Sequence, residues 1–593
     1  MQRLLKFFIG DAVAAITGLK PVEGALVELI RIDNSGAQVG GVLASTNTST
    51  NGKYILPLPT GVDLAGNLVV RITGGGKEIR SQVVDQEVNI SPVSEFILRK
   101  FIENETDLQV LEPGAVVKLS GYVEEFDLTS GSDLSTMFAQ LEAAVGEFID
   151  AQIDVIQVEP DSATHISGAY RSASMQLALH DSNDFEWGTF AVDMWRSEFE
   201  FRGKADGTVE VDHLAEETAW GSVHGDDGAN LELNYSVRID DESDTYAASF
   251  NKAGVLTIEG EFDEEIDEDY AWRWPPVTYR LQKVRDQNLF FQLNQEAAVR
   301  YETIDINGNK ALNPDAPVGD EVNRGIEVFY KKATGLTTAS VNGSYGRVYR
   351  GVMMNASGHL EIEVESNELI FNNGSVAYGA AERNRITRNS GGYNGKFTET
   401  TEAEQFPIEV AADGRITVGD ELTDGYFNDT ADFAAMMGSN GEDGDEAGFA
   451  ETFFVKLPND APDLTGKRYR LMYLNTGFYG SQIEMSNSRF DSFVTFTSNT
   501  AGSASLGINA LSMGWLGADI LANALPATER VVTATVGDKG ATTLQINAAD
   551  GYLRLKGYWN STASYGLFTI GFISGDGPVA GAVGLAVLVE VTD

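Results

Sequence analysis

Five of the chain's seven tryptophans, Trp187, Trp195, Trp220, Trp272 and Trp274, lie between residues 165 and 333, together with four of its five histidines, His165, His180, His213 and His224. Indole faces stack on sugar rings or line apolar pockets, and the mouth of a β-barrel is a common place for such a site. In Trp272-Arg273-Trp274 the two indoles share one side if the segment is extended. Trp195, Trp220, Trp272 and Trp274 are therefore the candidate ligand-binding residues, for a glycan or an apolar small molecule. The plainer reading is that large aromatics fill a barrel interior. The histidines stand at no metal-ligand spacing, and His213 and His224 read as packing or surface residues.

A second chemistry is offered by two acidic runs, Asp263-Glu264-Glu265-Ile266-Asp267-Glu268-Asp269 and Asn440-Gly441-Glu442-Asp443-Gly444-Asp445-Glu446. Calcium takes hard oxygen ligands from flexible loops. The second run is the better candidate because its glycines let carbonyls turn inward, so Asn440, Glu442, Asp443 and Asp445 are the candidate calcium ligands. Neither run has the twelve-residue EF-hand pattern, and a solvated turn explains both as simply. Calcium is the only cofactor the chain suggests. Gly-x-Ser-x-Gly, His-Glu-x-x-His, phosphate-loop and dinucleotide-loop phrases are all missing. With 88 Asp and Glu residues, an acid/base pair cannot be nominated from sequence spacing.

The elements that must position these residues announce themselves by repetition. Ala411-Ala412-Asp413-Gly414 and Ala548-Ala549-Asp550-Gly551 each run into an alternating strand, and Ala253-Gly254 before Val255 is a weaker copy. Each is preceded by an opening phrase, Gly168-Ala169-Tyr170, Gly343-Ser344-Tyr345 and Gly466-Lys467-Arg468-Tyr469. Each is followed by an apolar closing strand near 325–329, 448–456 and 584–589. Three β cassettes follow, 165–333, 340–457 and 463–593. A meander of this size protects its edges most completely by closing into an up-and-down, lipocalin-like barrel, with a row of two-sheet sandwiches as the alternative. Each copy is expected to seal its own apolar interior and leave acid outside. Residues 299–324 of the first cassette, polar and containing Asn307-Gly308-Asn309, read as an inserted loop.

Ahead of the cassettes, 1–98 reads as a β unit and 99–160 as a helical connector, with apolar residues from Leu134 to Ile156 at helical spacing. Pro21, Gly24, Ala25 and Val27, then Thr50, Gly52 and Tyr54, resemble the paired phrases of the carboxypeptidase-regulatory-like, transthyretin-like family. That resemblance implies an Ig-like β-sandwich without an active site, of a kind common as a spacer or adhesion unit on secreted and surface proteins.

Bulk properties narrow the function classes. A net charge of −46 repels phosphate backbones and argues against nucleic acid as a partner. There are no cysteines, so disulfides and thiolate chemistry are excluded. Met1 to Gly10 has a basic start and a short apolar run that Asp11 interrupts, a poor signal peptide as written. The most apolar run, Pro578 to Val589, falls short of the ~20 residues of a helical span, so no transmembrane segment is expected. The leading reading is a non-catalytic structural or adhesion protein, secreted or on a cell surface, that self-assembles or meets a surface glycan. The alternative is a carrier using the Trp-rich cassette. A hydrolase without a recognisable motif comes third.

Overall fold

The computed structural model describes residues 4–7, 23–59, 62, 65–74, 77–84, 88–104, 106–109, 111, 116–117, 119–120, 123, 134–156, 162–181, 190–223, 233–240, 244–260, 263–266, 270–275, 277–285, 287–306, 309–357, 359–389, 392–419, 421–442, 446–480, 482–514, 520–547, 551–574 and 580–591. The chain divides into two compact units, Met1–Gln157 and Val158–Asp593.

In the first unit, four antiparallel strands stand in the order Gln38–Asn47, Leu26–Ile32, Leu68–Gly74, Lys77–Gln82, and Leu4–Phe7 pairs with Tyr54–Pro57 in a separate ribbon. Both faces of the central strands Leu26–Ile32 and Leu68–Gly74 carry buried residues, while the edge strand Gln38–Asn47 is largely exposed. Val27, Leu29 and Val70 pack with Tyr54 and Leu56 on one side. Ile30, Ile32 and Val69 share the other side with Phe96, Phe101, Ile149 and Ile153 of the helices. The first helix, Pro92–Glu103, starts as its sequence dictates: the Ser91 hydroxyl accepts from the Ser94 N–H, and proline occupies the first turn. The segment read as a connector thus shares a core with the sheet. Lys100, 2% exposed, is held there by Glu142 and Asp150, each at 2.9 Å.

The second unit is three closed, eight-stranded, antiparallel barrels, each a simple up-and-down meander whose last strand pairs with its first. Barrel one uses Gly168–His180, Phe190–Gly203, Thr208–Val223, Asp244–Phe250, Val255–Glu259, Thr278–Lys283, Leu289–Ile306 and Asn309–Lys331. Barrel two runs from Gly343–Asn355 to Glu446–Lys456, and barrel three from Arg468–Tyr479 to Ala580–Glu590. The repeated phrases have repeated roles. Gly168 and Gly343 both sit at φ near +135°, and Gly254 and Gly414 take positive φ in their turns, where a side chain would be strained. Tyr170, Tyr345 and Tyr469 are fully buried in the three barrel floors. Ala548, Ala549 and Asp550 lie outside the described residues.

Barrel one carries extra strands. Leu233–Asp240 pairs with the upper half of Thr208–Val223, and the hairpin Asp263–Ile266/Tyr270–Trp274 pairs onto Leu289–Ile306 beyond the closed ring. The polar stretch 299–324, read as an inserted loop, is instead strand: Leu289–Ile306 and Asn309–Lys331 stay paired out to Ile306 and Asn309. Asn307 and Gly308 lie outside the described residues. Among the described residues no helix is long and apolar enough to cross a membrane.

The expectation that each copy seals an apolar interior and turns acid outward needs correction. One large apolar cluster lies on the outer faces of the barrels, where all three meet. Met175, Leu177, Val192 and Val328 of barrel one join Val348, Phe433 and Phe453 of barrel two and Leu474, Leu567 and Val587 of barrel three. Phe291, Phe433 and Tyr565, one ring from each barrel, stand 5.8 to 6.5 Å apart. Alternate residues on strands with an apolar outside must face inward, so the inside of a barrel is free to be polar.

Candidate functional site

Barrel one has that freedom and uses it. Its floor is apolar: Tyr170, Phe201, Val211, Phe250, Leu256, Leu281, Phe290 and Phe329 close one end, with Ile166 from the preceding turn. Above the floor, the inward-facing alternates become polar. Register places Glu327, Ser174, Trp195 and Thr218 side by side on successive strands. The next row is Asn294, Gly325, Gln176, Asp193, Trp220 and Ser236. Directly opposed residues of an antiparallel pair share a face, so each row lines the same interior.

The interior gathers five acidic side chains, Asp193, Glu216, Glu296, Glu321 and Glu327. Glu327, 5% exposed, accepts from the Trp195 indole N–H at 3.3 Å and from the Asn294 amide at 3.1 Å. Burial outweighs these bonds and pushes its carboxyl up to about 7. Asp193 is also pushed up to about 7, by burial first and then by the like charges of Glu216, Glu296 and Glu321. Glu296 is raised by burial against the opposing hydrogen bond from the Tyr279 hydroxyl at 3.0 Å. Glu321 goes the other way: burial is outweighed by His180, 3.3 Å away, which holds the carboxyl below its ordinary value. Glu216 accepts from the Ser197 hydroxyl at 3.0 Å.

A cavity of about 280 Å³ opens against this acid, lined by Asp193, Glu216, Thr218, Trp220, Ser236 and Arg238. The last two come from the side strand Leu233–Asp240, which extends the wall where Thr208–Val223 parts from Asp244–Phe250. Such an arrangement can bind and orient a small polar molecule, and its near-neutral carboxyls can accept or donate protons at physiological pH.

Of the four tryptophans singled out by sequence, Trp195 and Trp220 face this interior on neighbouring strands. Trp272 and Trp274 do not join them. Their rings stack on each other, 6.3 Å apart, on the hairpin beyond the ring, with the Arg300 guanidinium 5.6 Å from the Trp272 ring and 4.2 Å from that of Tyr270. Trp187 and His224 lie outside the described residues. His213 stacks on Phe199 at 4.9 Å, as a packing residue would.

Asn440 sits near the end of strand Phe433–Glu442, opposite Gly448, and Glu442 ends that strand opposite Glu446. Asp443 and Asp445 lie outside the described residues, as do Asp267, Glu268 and Asp269 of the other acidic run. Among the described residues no group of three or more His, Asp or Glu side chains is placed to hold a metal ion.

Asp193, Glu216, Glu296, Glu321 and Glu327 were not nominated from the chain. The available signal was alternation: in Gly168–His180 the polar series Ser172, Ser174, Gln176, His180 interleaves with Ala173, Met175, Leu177, Leu179. That pattern reports two faces without saying which one is inside.

No protein-family model matches the chain, and no curated protein matches it. Among solved structures, an AttH protein from Nitrosomonas europaea is similar at 9% identity, covering 50% of this chain and 95% of that one with a TM-score of 0.16. Kievitone hydratase from Nectria haematococca is similar at 8% identity, with 74% and 94% coverage and a TM-score of 0.14. Transferrin-binding protein B from Haemophilus parasuis is similar at 7% identity, with 72% and 76% coverage and a TM-score of 0.16. Values this low place the chain in none of these families.

Proposed function

We propose that this protein is a ligand-binding, three-barrel protein in which barrel one holds a small polar molecule and barrels two and three brace it. The observation that carries this reading is the cavity beside Asp193 and Trp220, inside a barrel whose floor is closed and whose upper interior is polar. It favours the carrier over the structural or adhesive role as the first reading. Export or surface display, with a carboxypeptidase-regulatory-like module at the N-terminus, stays part of the proposal. The test is intrinsic fluorescence of the full chain against a small-molecule panel. Ligands should shift the emission of the parent protein and leave a Trp220→Phe variant unchanged, whereas equal responses from both would place binding elsewhere.

A second reading rests on placement: Asp193 and Glu327 stand in adjacent rows of the same interior, where burial pushes both carboxyls up to about 7, the range in which acid/base catalysts work. Turnover of a chromogenic glycoside or ester panel, lost in Asp193→Asn, would favour an enzyme. Binding without turnover would favour the carrier.

A further inference from the structure

We infer that the chamber of barrel one takes a small hydroxylated organic cation, of the choline or ethanolamine class. This rests on the chamber reading above and specifies the chemistry of its ligand.

Three features converge. The first is charge: Asp193 and Glu216 line the cavity, and Glu296, Glu321 and Glu327 are strong enough neighbours to perturb one another across the same interior. The cations facing them are Arg238 on the side strand, Arg324 beside Glu296 and, when protonated, His180 paired with Glu321. Asp193 has no ion-pair partner among the described residues, although it is flanked by acid. An uncompensated carboxylate in a partly desolvated wall is costly until a cation arrives.

The second is the Trp220 indole beside Asp193 in the cavity lining. An aromatic face next to a carboxylate is the combination that holds alkylammonium groups. An anion would meet repulsion here, and a purely apolar ligand would strand the carboxylates.

The third is independent of the acid. Gln176, 1% exposed, lies directly across from Asp193 on the inward face, and among the described residues its buried amide Nε2 has no hydrogen-bond partner. Opposite it on the other side stands Gly325, where a Cβ would come within 2.6 Å of the Gln176 Cγ. The wall therefore makes room for this amide without satisfying it. An orphaned buried donor beside the cation site calls for an acceptor oxygen on the same ligand. The small volume, about 280 Å³, is just below the usual ~300–1,000 Å³ range of ligand pockets and suits a short-chain molecule.

The experiment titrates the full chain with choline, with ethanolamine, and with 3,3-dimethylbutan-1-ol, the uncharged isostere of choline, by calorimetry and by tryptophan fluorescence. Both cations should bind, and the neutral isostere should bind at least about tenfold more weakly, the size expected for a charge-assisted contact. Asp193→Asn and Glu216→Gln should each weaken choline by about tenfold while melting no lower than the parent. Equal binding of choline and its isostere, or unchanged choline binding in Asp193→Asn, would overturn the cation assignment and leave a binding chamber in place. No response to these three probes, with a Trp220-dependent response to neutral or anionic panel compounds, would likewise remove only the cation. Silence to every compound would remove both.

Discussion

Barrels one and three have the same strand order and the same closure, yet an apolar cluster fills more of barrel three than of barrel one. In barrel three all eight strands feed one apolar cluster, from Tyr469 and Leu471 through Val494, Leu506, Val532, Leu544 and Leu555 to Trp559, Phe568 and Leu588. In barrel one the equivalent cluster stops at the floor, and above it the lining turns to carboxylates, amides and two tryptophans. Both remain stable as barrels because much of their apolar burial is outside, at the joint where the three meet. A fold whose outer faces supply part of the core can leave one interior open for binding.

The contrast can be broken most forcefully with one substitution made twice. Trp559 is fully buried, so Trp559→Ala should cost about 3–5 kcal/mol in a denaturant titration. Trp220 borders a cavity, and Trp220→Ala should cost about 1 kcal/mol. Equal costs would mean that barrel one is as filled as barrel three.

Next comes a test of paired against unpaired charge. Arg350 and Glu451 are both buried outside the barrel interiors and bridge each other, and the Arg350 guanidinium also donates to the Met175 carbonyl of barrel one. Arg350→Met strands Glu451 and should cost about 3 kcal/mol. The double variant with Glu451→Leu should recover most of that loss.

Asp193→Asn should act in the opposite direction. Its folded pKa, about 7, lies above the ordinary value, so the stability tied to its protonation is fully present below pH ~4 and is lost as pH rises through about 7. The asparagine variant should therefore match the parent near pH 4 and exceed it by about 1–3 kcal/mol at pH 8, measured by melting across that range. A uniform loss at all pH values would show that Asp193 is structurally paired. The smallest effect is reserved for the hairpin beyond the ring: Glu264→Gln, which breaks the exposed pair with Arg273, should change stability by less than about 0.5 kcal/mol and leave any ligand response intact.

How much of this was legible in the chain depends on what kind of signal each feature leaves. Glycines 168 and 254 of barrel one, 343 and 414 of barrel two and 466 of barrel three take a backbone conformation that few other residues accept, so the repetition left a visible mark on the chain. Trp195 and Trp220 were visible because tryptophan is rare and clustered. Trp272 and Trp274 carried the same signal but belong to an added hairpin, since nothing local distinguishes a barrel strand from one that pairs beyond the ring. The carboxylates stayed hidden for a physical reason. Alternation in Gly168–His180 fixes two faces, but their assignment to inside or outside is set by neighbouring barrels far away in sequence. Polar residues 299–324 read as loop because strand propensity is weak there, yet pairing between two long strands carried them as ribbon.

Whether barrel one is a chamber walled by an unpaired Asp193 can be read from carboxyl infrared difference spectra of the parent against Asp193→Asn across pH. A protonated-carboxyl band, absent from the variant, should disappear with a midpoint near pH 7. A midpoint near the ordinary aspartate value of about 4 would contradict it, because the group would then be solvated or paired and the chamber as described would not exist.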